Sequence, residues 1–379
     1  MAEPFNINMI EEDNLMNNAV IKVVGVGGGG GNMINHMIEK GVKDIELICA
    51  NTDVQALRTN KAPIKIQLGK ELTKGLGAGM EPEIGQAAAE ESYDEIKRVL
   101  EGADLVFVAA GMGGGTGTGA APIIAKIAKE LGALTIGVVT KPFKREGGKR
   151  IKLAEIGFNE LKNESDSIVT ILNQKLLAVI DRRASKKEAY KKVDDILYQA
   201  VSGISNMIIS YGENDVNVDF ADLKKVMSHQ GMALMGIGHA SGENATYDAL
   251  NQAIESPLLD ETDINDAKGL LVHYTINENY PLVEIDEAME SILGEVAENE
   301  NVDLIEGITT NNDLTDDEII VTIIATGFDE KKSEKIASNN PKIQVNPSVI
   351  AKKIAGDNNY IELNGDDIDI PTYLRRGRD

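Results

Sequence analysis

Two clusters of glycine, each set between an apolar run and a segment of helical spacing, constrain this chain more than any other feature. GMGGGTGTG places six glycines among the nine residues Gly111 to Gly119, and GVGGGGGN places a second cluster at Gly25 to Asn32. Glycine inside a regular element costs about 0.5 to 1 kcal/mol relative to alanine, so clusters this dense imply that something must approach the main chain closely. ADLVFVAA (103–110) is short, continuous and apolar, as a strand buried on both faces requires. Downstream, AAPIIAKIAKEL (120–131) repeats Ile123, Ile124, Ile127, Ala128 and Leu131 at helical spacing. Strand, glycine turn and helix bring free N–H groups and a helix N-terminus to one spot, which suits an anion.

The order of segments from Ala19 alternates strand and helix: AVIKVVGVG, NMINHMIEKG, IELICANTD, IKIQL, a helix over 82–100, ADLVFVAA, the helix above, LTIGVVT, a helix near 149–161, and SIVTIL. This order predicts a largely parallel, doubly wound α/β sheet. Both glycine clusters then fall at the C-terminal ends of strands, where open sheets of this kind bind ligands. Ser185 followed by Glu188 is a capping-box signature, and apolar spacing predicts a helix over 186–210 that connects two domains. Residues 211–327 read as a smaller α+β domain, with helices DLKKVMSH, NATYDALNQAIES and DEAMESILGEVAE and strands GLLVHYTI, VDLIEGITT and EIIVTIIATGF. Flanking these, 1–18 reads as a flexible arm, 328–365 as a polar, disordered linker, and 366–379 as an apolar tail closed by three arginines.

Composition excludes several classes. A formal net charge of −23 over 379 residues argues against bulk binding to nucleic acid, which needs a basic surface. The one cysteine, Cys49, rules out an intramolecular disulfide framework and fits a reducing cytoplasm. The N-terminal sequence lacks the pattern of a secretory leader, and no apolar run approaches the roughly 20 residues of a membrane span. His36, His229, His239 and His273 show no metal-ligand spacing, so no metal site is assigned.

Gly25, Gly27 and Gly30, with Asp53 about 20 residues on, outline the dinucleotide fingerprint, and a nicotinamide-dependent oxidoreductase is the alternative reading. That alternative uses one phosphate turn and leaves the second cluster unexplained. Two such turns can hold a longer phosphate chain. Neither continues into G-K-[ST], so backbone amides must do most of what a lysine does in a Walker A site.

The ordered set GVGGGGGN, ANTD, TKGLGAG, GGGTGTG, VVTKPF and NVDFADL resembles the tubulin family and, within it, the bacterial cell-division GTPases of the FtsZ type. The likeness covers residues 19 to about 327 and resumes in DIDIPTYLRR. It implies a GTP-binding domain over 19–184, a central helix over 185–210 and an α+β domain over 211–327. By the same resemblance Gly27, Gly28, Gly29, Gly30, Gly31 and Asn32 form the first phosphate and ribose loop. Gly113, Gly114, Gly115, Thr116, Gly117 and Thr118 surround the β- and γ-phosphates, with Ala78 and Gly79 near the γ-phosphate. Glu146 and Arg150 match a ribose-contacting pair, and Asn173 a guanine-contacting asparagine; taken alone, Glu146 and Arg150 are a solvated pair at a helix start.

Tyr190 and Asp194 lie four apart, on one face of the long helix. A ring there can stack on a base, and a carboxylate can accept from the N1 and N2 donors of guanine, a pair that adenine lacks. Without the resemblance they read as a core residue and a surface charge. The family usually carries phenylalanine at position 190, and tyrosine keeps the stacking face. NVDFAD (217–222) reads by itself as a helix start with Asp219 as N-cap and Asp222 completing the cap. The resemblance adds that Asn217, Asp219 and Asp222 enter the nucleotide site of the next subunit in a head-to-tail filament and complete a hydrolytic centre, with Mg2+ offsetting phosphate charge. It also implies a division ring at midcell, GTP hydrolysis activated by polymerisation, and docking of residues 366–379 on an FtsA-like membrane tether or other division regulators.

Overall fold

In a computed structural model the described residues are 19–328 except 178–179, 181–182, 210–214, 216–217, 230–231, 257–258, 260–263 and 298. The expected arm and tail, all but the first residue of the linker, and Asn217 lie outside the described residues. The described residues belong to one compact unit.

The chain runs β1 (Ile21–Val26), α1 (Gly27–Glu39), β2 (Glu46–Asn51), α2 (Val54–Thr59), β3 (Ile64–Gln67), α3 (Lys70–Thr73), α4 (Pro82–Glu91), α5 (Tyr93–Leu100), β4 (Leu105–Gly111) and α6 (Thr116–Glu130). It continues through β5 (Leu134–Lys141), a 3-10 turn at Lys144–Glu146, α7 (Gly148–Glu164), β6 (Ser167–Leu172), α8 (Asn173–Leu176) and α9 (Lys186–Ile209). The remainder is α10 (Phe220–Met227), β7 (Met232–Ser241), α11 (Ala245–Ile254), β8 (Gly269–Ile276), α12 (Leu282–Ala297), β9 (Asp303–Thr310) and β10 (Glu318–Phe328).

These strands form one sheet in the order β3-β2-β1-β4-β5-β6-β7-β10-β8-β9. The first seven are parallel, β10 runs antiparallel to β7 and β8, and β9 is parallel to β8. The order 3-2-1-4-5-6 is that of a doubly wound sheet, whose strand order reverses between β1 and β4. Both of those strands end in a glycine cluster. One face of the sheet packs on α1, α9 and α10 through residues such as Val23, Ile34, Phe107, Ile196, Ile204 and Leu223. The other packs on α4, α5, α6 and α7, and α11 with α12 cover the β7–β10–β8 portion. Cys49 is buried in β2, and burial pushes its thiol up to about 11.

Three details differ from the sequence reading, each for a local reason. The first glycine cluster is not a loop preceding a helix but the first turn of α1 itself, whereas in the second Met112 to Gly115 form the expected turn and α6 starts at Thr116. The helix expected over 82–100 is two helices, because Ser92 leaves helical geometry (φ −96°, ψ 14°) and its Oγ accepts from the Gly69 amide at 3.0 Å. The unanticipated strand β7, MALMGIGHAS, carries two glycines where β-branched residues would signal a strand. A Cβ at Gly236 or Gly238 would stand 1.9 or 1.8 Å from the carbonyl oxygens of Ala253 and Ala249, so α11 lies directly on the strand backbone. The capping box at the start of α9 forms as read: Ser185 N donates to Glu188 Oε2 at 2.6 Å, and Glu188 N to Ser185 Oγ at 3.3 Å.

Candidate functional site

At the point where the strand order reverses, α1 and α6 start side by side. A Cβ at Gly27 (φ +69°) would lie 2.9 Å from the Gly117 amide nitrogen, so the two helix N-termini touch through backbone. Neither end is capped by a side chain, and neither has an acidic residue in its first turn. By contrast, α2 and α10 are capped by Asp53 and Asp219. Four N–H groups at each helix start lack an intrahelical acceptor, and the helix dipole adds partial positive charge there. Two such ends in contact form a cradle for an extended anion.

Close contacts assemble the rest of the rim. A Cβ at Gly115 would stand 2.8 Å from Ala78 Cβ, which brings the Ala78–Gly79 segment onto the start of α6. At Gly113 (φ +94°) it would stand 2.6 Å from the Arg150 carbonyl oxygen, which brings in the start of α7. Thr116 Oγ1 meets Thr52 Oγ1 at 2.6 Å, and the Gly113 amide donates to the buried Thr118 hydroxyl at 2.9 Å. Arg150 and Glu146 form an ion pair at 2.9 Å, while Glu146 also accepts from the Phe143 amide at 2.9 Å. The pair is therefore built into the turn after β5 rather than simply solvated. Arg150 Nε is buried and has no protein partner.

Beside these groups stand the residues read as base-contacting. Tyr190, near the start of α9, is half-buried, and its ring stands edge-on to buried Phe143 with centroids 5.6 Å apart. Asn173 opens α8 at the end of β6; it is 5% exposed and its Oδ1 has no partner. A buried acceptor left unpaired costs about 1 to 3 kcal/mol, so a donor reaching Asn173 Oδ1 would be favoured. Asp194 is half-buried, and burial, with the neighbouring Asp195 charge, pushes its carboxyl up to about 7. Phe143 was not singled out from the sequence, although it lies inside the VVTKPF stretch; its role as a wall behind Tyr190 depends on a contact 47 positions away in sequence.

Asp219 and Asp222 are not brought to this place. Asp219 caps α10, accepting from the Ala221 amide at 3.1 Å, and Asp222 lies exposed in the first turn. Their segment is tied to the far end of α9, where the Val218 amide donates to the Met207 carbonyl at 3.0 Å. From Tyr190 to Ile209 the helix covers about 29 Å at 1.5 Å per residue. The histidines are engaged separately: His229 with Asp303, His239 with Glu318, His273 with Thr309 and His36 with Asp195. Asp53, the acid of the dinucleotide fingerprint, is used in capping α2, where it accepts from the Gln55 and Ala56 amides at 2.8 and 3.3 Å.

The comparisons decide the family. Residues 20–181 match the GTPase domain of the tubulin/FtsZ family, and residues 231–329 match the C-terminal domain of the FtsZ family. An FtsZ dimer from M. jannaschii is 40% identical, with 83% of this chain and 90% of that chain covered at a TM-score of 0.76. The chain belongs to the tubulin/FtsZ family. A second M. jannaschii FtsZ structure, of a point mutant, is 41% identical, with 84% of this chain and 93% of that chain covered at a TM-score of 0.77. A CetZ2 protofilament from Haloferax volcanii, 19% identical, shares the fold over 89% of this chain and 100% of that chain at a TM-score of 0.70. The tubulin/FtsZ fold, with its parallel sheet and C-terminal domain, is thus the fold of this chain, and the family is one of guanine-nucleotide-binding, tubulin-like cytoskeletal GTPases. Among the described residues no helix is long and apolar enough to cross a membrane.

Proposed function

We propose that the chain binds GTP across the paired starts of α1 and α6 and hydrolyses it between subunits of a head-to-tail filament. Gly27 to Asn32 and Gly113 to Thr118 offer backbone donors to the phosphates, and Ala78 and Gly79 close the γ-phosphate end. Glu146 and Arg150 hold the ribose. Tyr190 stacks on the base, Asn173 accepts from it, and ionised Asp194 accepts from both guanine donors. Mg2+ held beside the phosphates would offset their charge.

The observation that carries this reading is the contact of two uncapped, acid-free helix N-termini at the switch point of the sheet. Their placement supplies charge stabilisation but no group to orient water. Asp219, Asp222 and, from the sequence, Asn217 have that chemistry, and the length of α9 keeps the two described carboxylates from their own nucleotide. A second copy stacked along the α9 axis would present them to it. Leu76, 87% exposed, and half-exposed Met80 flank Ala78 and Gly79, an apolar surface that such a copy would cover. The M. jannaschii dimer and the Haloferax protofilament are consistent with this assembly. In the cell the filament would form the division ring at midcell on the inner membrane face, joined to a tether by residues 366–379. The test is GTP hydrolysis and pelleting measured together across protein concentration. Turnover per subunit should rise with assembly; turnover independent of concentration in protein that never pellets would refute the shared site.

A further inference from the structure

The phosphate-holding and base-reading parts of the proposed site ride on different helices, α1 and α9, and one side-chain cluster joins them. His36 of α1 is buried, with Nε2 2.7 Å from Asp195 Oδ1 of α9. Lys40 Nζ reaches the same oxygen at 3.6 Å. The Tyr198 ring stands edge-on to His36 with centroids 6.1 Å apart, and Lys40 lies 5.9 Å from its centre. Asp195 directly follows Asp194, and successive residues point about 100° apart around a helix, so anchoring one sets the direction of the other. We propose that the His36–Asp195 pair is a positioning device for base selection, fixing the rotation of α9 on the phosphate helix so that Asp194 faces guanine, and shielding Asp194 from its charged neighbour. This rests on the reading of Asp194 as the guanine acceptor.

Geometry and charge support it together. One nucleotide can satisfy α1 and α9 simultaneously only if the two helices keep a fixed register, and a mostly buried polar pair specifies register where apolar packing would tolerate slip. Asp194 has its carboxyl raised to about 7 by burial and by Asp195, so whatever neutralises Asp195 favours the ionised, guanine-accepting form. Around the pair stand His36, Glu39 and Lys40 of α1, Lys61 beyond it, and Lys191, Asp194 and Tyr198 of α9. Glu39 is held below the usual carboxylate range by Lys61 first, with His36 and Lys191 adding to it.

The experiment is the ratio of GTP to ATP affinity of the full chain from about pH 5 to pH 9, which cancels the titration of the phosphates common to both. Guanine needs the ionised carboxylate, so the ratio should be high above the titration of Asp194 and fall as pH drops through about 7. Asp195→Asn removes the like charge and should move that midpoint to lower pH. His36→Leu leaves Asp195 facing Lys40 alone, so the midpoint should rise and the ratio at neutral pH should drop. His36→Gln keeps a donor to Asp195 and should restore the neutral-pH ratio. Equal loss of GTP and ATP affinity with unmoved midpoints in Asp195→Asn and His36→Leu would overturn the proposal. If His36→Leu does not fold, His36→Met, an apolar side chain without a donor, takes its place with the same expected outcome. Asp194→Asn separates the two readings: retention of the full ratio and its pH dependence there would sink the base reading itself.

Discussion

On the proposed reading of the site, base choice turns on Asp194. A carboxylate half-buried beside another acid is unfavourable unless donors arrive to meet it, and guanine brings two at the required edge. Asp194→Ala should therefore weaken GTP by about 1 to 3 kcal/mol, roughly 5- to 150-fold, while leaving ATP nearly unchanged. Calorimetric titration with both nucleotides checks this, and a parallel loss for ATP would assign Asp194 a packing role. Tyr190 needs no such compensation. Phe143 holds its ring by an edge-to-face contact at 5.6 Å that an aromatic of either kind would keep.

At the scale of elements, the informative contrast lies among helix starts. The helices α2 and α10 satisfy first-turn amides with Asp53 and Asp219, whereas α1 and α6 have no side-chain cap and no acid in the first turn, which the proposed site uses for phosphate. Asp219 can serve as cap and as part of a neighbour's hydrolytic centre, because capping uses Oδ1 and leaves the other carboxylate oxygen available. The two roles separate by substitution. Asp219→Ala should lose about 1 kcal/mol of stability through the missing cap, while Asp219→Asn, an equally good N-cap, should not. Both should lose polymer-dependent GTP turnover. Denaturant melts run beside turnover assays check the pair, and full activity in Asp219→Asn would leave Asp219 as a cap alone.

For the whole molecule the governing dimension is the length of α9, which carries Tyr190 and Asp194 toward one end and holds the α10 segment at the other. Asp222→Ala should accordingly bind GTP and assemble like the unaltered chain yet hydrolyse little, giving long-lived filaments by pelleting and microscopy. Loss of GTP binding in the folded variant would place Asp222 in its own subunit's pocket. For the C-terminal residues the proposed task is docking to a partner. In the proposed docking of residues 366–379, Ile370, Pro371 and Leu374 would supply apolar anchors, and Arg375, Arg376 and Arg378 an attraction that salt weakens. A chain ending at Gly365 should pellet with GTP normally and fail to reach membranes bearing the tether. Normal recruitment of that truncation would remove the tail from any docking role.

Much of this molecule was legible from its text, because local rules sufficed there. Buried parallel strands read as continuous apolar runs, the Ser185–Glu188 box announced α9, and glycine clusters at strand ends marked the places where α1 and α6 begin. Strand β7 escaped because Gly236 and Gly238 are dictated by α11 lying on the backbone, a requirement set by a partner helix and not by strand propensity. The same holds for the break at Ser92, which answers the Gly69 amide 23 residues away. Tertiary structure alone decided that the two glycine clusters meet at one point, that Glu146 is bound into the turn after β5, and that Asp195 is tied to His36 across 159 residues. Periodicity and capping act over a few residues and are written locally. Contacts between α1, α6 and α9 exist only once the sheet has placed their strands in the order 2-1-4-5-6, and no local pattern encodes that order.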